Sequence, residues 1–291
     1  MSQFAGYVLP GSVFIAFGLK WSLDAAADPK LPGEDHLEDI RSSRGGRSQQ
    51  YRKRKCCRLK NWPMEGIIKL TITAVGIAAS VTAAYPNGEL KFVGDILYAT
   101  VYLFFAISGL VDVLVFYCPY TMPYGLDKFT LALAFAIEGL MFRLHLGHQA
   151  FMEQHVHVLL VYAIFSCAFA SLVEIVLPWS RLVKFALSFF TLVHGSWYIQ
   201  SGFILYSPTQ GTPIAWTSSD DYNSALIWIS LTFAWHCGGA FIIMLILMAL
   251  SRKRNPPPPQ HIEAFEPEPS SHSHTMTIPH CQLSSFMDLK V

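Results

Sequence analysis

The 291-residue chain is short of charge, with Asp, Glu, Lys and Arg together making up only 14% of it. A water-soluble domain carries about 25%, so the polar surface that water demands is missing. The net charge is +1, and the basic residues lie in clusters rather than across one face. That distribution excludes a nucleic-acid binder. Disulfide and metal signatures are scarce as well. Of six cysteines, Cys167 and Cys237 fall in apolar runs. Cys56, Cys57, Cys118 and Cys281 fall in segments assigned below to the cytosol, where thiols stay reduced. There is no paired CxxC and no H-E-x-x-H. Glycosylation sequons are missing too, since Asn87 leads N-G-E and Asn223 leads N-S-A.

What is present is apolar length. A bilayer core of roughly 30 Å needs about 20 apolar residues in a helix. Seven stretches meet that requirement: 4–23, 64–85, 93–117, 126–147, 155–177, 181–206 and 224–250. Breakers bound them, among them Pro86-Asn87-Gly88, Cys118-Pro119, Pro178 and the 207–223 loop. The first stretch contains Pro10-Gly11 and Lys20, which neighbouring helices can accommodate. It lacks the positive leading region of a signal peptide and is read as a span. The expected fold is an all-α membrane protein: a seven-transmembrane helix bundle over residues 1–250.

Orientation follows from lysine and arginine. With the N-terminus outside, residues 22–63 are cytoplasmic and hold ten basic residues. Lys128, Arg181, Lys184 and Arg252-Lys253-Arg254 add six more, whereas the outer side has only Lys91 and Arg143. The C-terminus is then cytoplasmic. Trp62, Trp179, Tyr206 and Tyr222 sit at span ends, as interfacial anchors do.

Within the cytoplasmic loop 24–63, the chain turns from acidic to basic, ending in RKRKCCRLK at 52–60. A positive-inside flank explains this run. A sharper reading adds anionic-lipid recognition and S-acylation of Cys56 or Cys57, two membrane signals side by side. The tail, 251–291, is rich in Pro, Glu, Ser and His, and is expected to be disordered. Its last residues, Leu289-Lys290-Val291, have the apolar-x-apolar form that a PDZ groove accepts.

Ionisable groups at bilayer depth are costly unless paired, so each is a functional candidate. Glu138, His194 and His236 lie near the midplane of their spans. His145, His148, His155 and His157 lie toward the outer side, and Asp112 and Glu174 toward the cytoplasmic side. Glu138 and His145, seven residues apart, share a helical face but are separated by about 10 Å along the axis. A metal site is expected from His145, His148, His157 and His236 with Glu138, lining one cavity open to the outside. Zinc suits imidazole and carboxylate together; copper, nickel and iron also accept them. The structural alternative makes the same groups helix caps and interhelical ties.

Several motifs carry a resemblance. They are G-x-x-L-P-G at 6–11, G-L-x-D-V at 109–113, and Glu138 with His145 ahead of V-H-x-L-L at 156–160. H-G-S-W-x-x-Q-x-G-F-x-L-Y at 194–206 and A-W-H at 234–236 complete the set. On these the chain resembles the transmembrane-protein-45 family over its seven spans, though not in the basic loop or tail. The resemblance implies a seven-span protein of Golgi, endosomal or plasma membranes and supplies no catalytic residue. The expected function is a non-catalytic trafficking or interaction protein with a Glu/His polar site. The alternatives are a metal-dependent enzyme acting on lipid and a proton-coupled transporter. A G-protein-coupled receptor shares the topology but not the residues: no acidic-Arg pair ends span three, and no NPxxY ends span seven. A haem held by His194 and His236 ranks with it, because adjacent helices lie too close for a porphyrin.

Overall fold

The computed structural model of the chain describes residues 3–27, 62–145, 151–207, 214 and 219–254. The described residues form seven α-helices and one short 3-10 turn. The helices are α1 (Gln3–Ala27), α2 (Met64–Ala84), α3 (Val93–Tyr117), α4 (Leu126–His145), α5 (Phe151–Val176), α6 (Arg181–Leu205) and α7 (Ser219–Arg254). The basic run 52–60, Cys56, Cys57 and His148 lie outside the described residues, as does the side chain of His145. So does the tail from 255 onward, whereas 251–254 continue α7.

The expectation of seven spans is met only in part. Six helices are long and apolar enough to cross a membrane, and α4 is not among them. Its twenty residues include Asp127, Lys128, Glu138 and Arg143. Two of these charges meet partners on other helices, Lys128 with Glu174 on α5 and Glu138 with His194 on α6. Hydropathy is thus low where the helix is most enclosed. Its face carrying Leu131, Ala134, Phe135, Glu138 and Phe142 is fully buried. Elsewhere large apolar side chains such as Leu103, Phe169, Ile227 and Phe241 point outward, the surface that a hydrocarbon solvent covers.

Neighbours in space are not always neighbours in the chain. Helix α1 runs against α6, α2 against α3, α4 against both α3 and α5, and α5 against α6. Helix α7 lies along α1, α6 and α5. Glycine sets the closest approach. A Cβ on Gly11 would stand 2.7 Å from the Gly195 carbonyl oxygen, and one on Gly195 would stand 2.7 Å from that of Gly11. Gly18 and Gly202 extend the same seam, at Leu192 and Tyr7 respectively. On the α2–α3 seam, Gly66 lies against the Gly109 carbonyl. Small residues serve membrane packing this way because dispersion, not water, drives helix association.

Close packing of α1 brings Phe14 into the centre of the bundle. Its ring lies 5.6 Å from that of Phe105 on α3 and 5.9 Å from that of Phe135 on α4, measured between centroids. Trp197 on α6 is fully buried and donates its indole N–H to the Val156 carbonyl of α5 at 3.1 Å. Many hydroxyls are satisfied within their own helix: Ser22 by Gly18, Thr73 by Lys69, Thr191 by Leu187 and Ser201 by Trp197. Satisfied in place, they make few demands on neighbouring helices.

Candidate functional site

The buried ionisable groups occupy three levels along the bundle. At the end formed by the start of α1 and the start of α5, the Tyr7 hydroxyl lies 3.1 Å from His157 Nε2. His157 Nδ1 lies 2.8 Å from the Glu153 carbonyl oxygen. A carbonyl only accepts, so Nδ1 carries the proton, and in a neutral ring Nε2 accepts from Tyr7. Phe142 stacks on this imidazole at 5.8 Å between centroids.

At the middle level stand Glu138 of α4 and His194 of α6, only 2% and 0% exposed. His194 Nε2 lies 3.5 Å from Glu138 Oε1. That separation is long for a hydrogen bond. Glu138 Oε2 and both His194 ring nitrogens have no hydrogen-bond partner. Phe14, Phe135 and Tyr198 wall the imidazole, with Phe14 closest at 4.2 Å between centroids. In so apolar a setting, charge on either group depends on charge on the other, since an isolated buried ion is costly.

The third level is a set of ion pairs at the opposite end. Lys69 Nζ meets Asp112 Oδ2 at 2.7 Å and Glu65 Oε1 at 3.5 Å. It also sits 5.8 Å from the ring centroids of both Phe17 and Trp21. Glu65 accepts from Lys20 at 2.7 Å and from the Trp21 indole at 3.0 Å, while Lys20 also reaches Asp24. Lys128 pairs with Glu174 at 3.2 Å. Beside this network lies a cavity of about 270 Å³ among the first turns of α2, the last turns of α3 and the first turns of α4. Glu65, Lys69, Asp112, Asp127 and Lys128 all line it.

The expected metal-site residues distribute over this frame in different ways. Glu138 is central, and its neighbour is His194, a residue of the same depth. His157 is buried among α1, α4 and α5, and its Nε2 faces Tyr7. His236 on α7 is half-buried, with its ring 5.7 Å from that of Trp197. The side chain of His145, and all of His148, lie outside the described residues. Among the described residues, no three His, Cys, Asp or Glu side chains converge as a metal ion requires. His155 reaches Ser230 at 3.0 Å, tying α5 to α7.

Residues that sequence reasoning passed over include Lys69, Glu65 and Tyr7. Lys69 was detectable, as a lysine one turn after Glu65 inside an apolar run. Tyr7 was not, because nothing local distinguishes it from an interfacial tyrosine.

Residues 124–249 match the model of a family of unknown function (DUF716). The matched segment holds α4 to α6 and most of α7, and with them Glu138, His157, His194 and His236. Over 140 residues the chain is 31% identical to transmembrane epididymal protein 1 of Homo sapiens, covering 47% of this chain and 49% of that protein. Over 92 residues it is 32% identical to transmembrane epididymal protein 1A of Mus musculus, covering 32% of this chain and 29% of that protein. The chain thus spans about half, or less, of the length of these curated relatives. Six apolar helices and relatives named as transmembrane proteins agree. This is a multi-pass membrane protein.

Proposed function

We propose that the chain is a seven-span membrane protein of the transmembrane-protein-45 type, with its N-terminus outside and its C-terminus cytosolic. In this reading it acts non-catalytically, in trafficking or partner binding, within Golgi, endosomal or plasma membranes. One observation carries the proposal: the buried ionisable groups meet partners on other helices. Lys69 with Asp112, Lys128 with Glu174 and His157 with Tyr7 join α2–α3, α4–α5 and α5–α1, and Glu138 faces His194 between α4 and α6 at 3.5 Å. Polar groups used as interhelical ties stabilise a bundle in lipid, where no hydrophobic effect holds helices together. The anionic lipid proposed for 52–60 is recognised by charge next to the membrane surface.

Zinc held by Glu138, His145, His148, His157 and His236 is the competing proposal, and it depends on His145 and His148 reaching inward. Metal analysis of the purified protein, run with a lipid-turnover assay, separates the two. We expect metal well below one ion per chain and no turnover. Stoichiometric zinc with turnover would reverse the assignment. The unpartnered Glu138 Oε2 and His194 Nδ1 favour a further reading, a proton relay. A pH-dependent flux in proteoliposomes that disappears in Glu138→Gln would establish it.

Topology has its own test. Tags placed near Asn87 and Asp220 should be cut by protease only from the outer or luminal side, and a tag in 24–63 only from the cytosol. Cleavage of the Asn87 tag from the cytosol would sink the orientation.

A further inference from the structure

The geometry points to the charged cavity between α2, α3 and α4 as a binding site for a phosphorylated primary amine, the headgroup of an ethanolamine phospholipid. This inference rests on the reading that α2, α3 and α4 cross the bilayer. The cavity is built from helix ends, Met64–Lys69 of α2, Asp112–Phe116 of α3 and Asp127–Leu131 of α4. Those turns lie at the headgroup level of a membrane rather than in its hydrocarbon. Trp62 and Met64, both exposed, are part of its lining. A tryptophan in that position is an interfacial residue.

Size and charge then narrow the ligand. The volume of about 270 Å³ falls just under the roughly 300–1,000 Å³ of sites for drug-sized molecules. That is room for a headgroup and not for acyl chains. The lining carries three carboxylates, Glu65, Asp112 and Asp127, and two ammonium groups, Lys69 and Lys128. These groups are not equally available. Glu65 already accepts from Lys20 and Trp21, and Lys69 is held by Asp112, Glu65 and two aromatic rings.

Asp112 from α3 and Asp127 and Lys128 from α4 bring the remaining charges to the same lining. Lys128 has three N–H donors and pairs with Glu174 at 3.2 Å. A ligand complementary to this set has an ammonium for Asp127 and Asp112, and a phosphate for Lys128. A primary ammonium donates N–H to carboxylates, and such charge-assisted bonds are the strong ones. A quaternary ammonium donates none and depends on an aromatic cage. Trp62 and Phe116 alone do not make such a cage.

The test uses the full chain, purified and delipidated in detergent. Lipids of identical acyl chains and different headgroups are then offered, and retention is read by native mass spectrometry. We expect phosphatidylethanolamine to be kept about tenfold better than phosphatidylcholine or phosphatidylglycerol, the factor one charge-assisted bond supplies. Asp127→Asn should remove that preference, and Trp62→Ala should weaken it. Asp127 is half-buried and Trp62 is 63% exposed, so neither change empties the core. Unaltered melting of both variants checks the fold.

Soluble phosphoethanolamine is the second arm. Competition only at large excess assigns the site to lipid, and competition at equal concentration assigns the same chemistry to a free phosphoamine. Equal retention of all three lipids, or an Asp127→Asn protein with the parent's preference, overturns the site. Protease mapping fails or succeeds independently, because an inverted chain would keep its headgroup preference in the other leaflet.

Discussion

Gly195→Ala and Gly11→Ala are each expected to lower the stability of the bundle by about 3 kcal/mol, the upper range for overpacking a tight contact. The new methyl at 195 would sit 2.7 Å from the Gly11 carbonyl oxygen and 2.7 Å from the Ile15 nitrogen. Both obstacles are backbone atoms, so α1 and α6 must move apart rather than repack a side chain. Separation would also withdraw Phe14 from His194 and Tyr7 from His157, so the damage extends beyond the seam. Gly238→Ala and Gly239→Ala are the matched controls. A Cβ at either position meets nothing within 4 Å, and alanine is the better helix former by about 1 kcal/mol. Melting of the four variants in detergent decides the matter. Four equal midpoints would falsify the assignment of the α1–α6 seam as a close backbone contact.

Glu138→Ala should be nearly as damaging, at about 3 kcal/mol or more, the cost of leaving one member of a buried pair alone. His194 would then have no polar neighbour and a void in place of the carboxylate. The double variant Glu138→Leu, His194→Phe should recover most of this loss. Leucine restores volume, and a phenyl ring fits among Phe14, Phe135 and Tyr198, which already surround the imidazole. Recovery is the informative result, because it shows that shape and not charge is what the fold needs there. If the double variant is stable but abolishes trafficking or proton flux, the pair has a role beyond packing. A double variant no more stable than Glu138→Ala would mean that the fold needs the polar pair itself and not only its shape.

Much of this arrangement was present in the chain's one-dimensional pattern, and the motifs show how. Gly109 and Asp112, three residues apart in one short motif, serve one seam: Gly109 lets α2 approach, and Asp112 receives Lys69 from it. Gly11 and Gly195, in two separate motifs, turn out to be facing halves of one contact. His194 and Trp197 belong to the same run as Gly195 and bond or abut different helices, α4 and α5. Each motif was visible; the fact that they are each other's partners was not.

From sequence alone came the helical segments, the scarcity of charge, and the depth of Glu138, His194 and His236. These depend on local quantities: residue polarity, rise per residue and the positions of breakers. The tertiary structure alone decided who meets whom. Tyr7 finds His157 across 150 residues because α1 docks along α6. Glu138 finds His194 because residues of equal depth on neighbouring helices can touch. Helix α4, read as a span from the sequence yet less apolar than the six qualifying helices, is enclosed because α5 and α6 supply partners for Lys128 and Glu138. Hydropathy counts the cost of burying each charge alone, and only three-dimensional packing supplies the neighbour that offsets it.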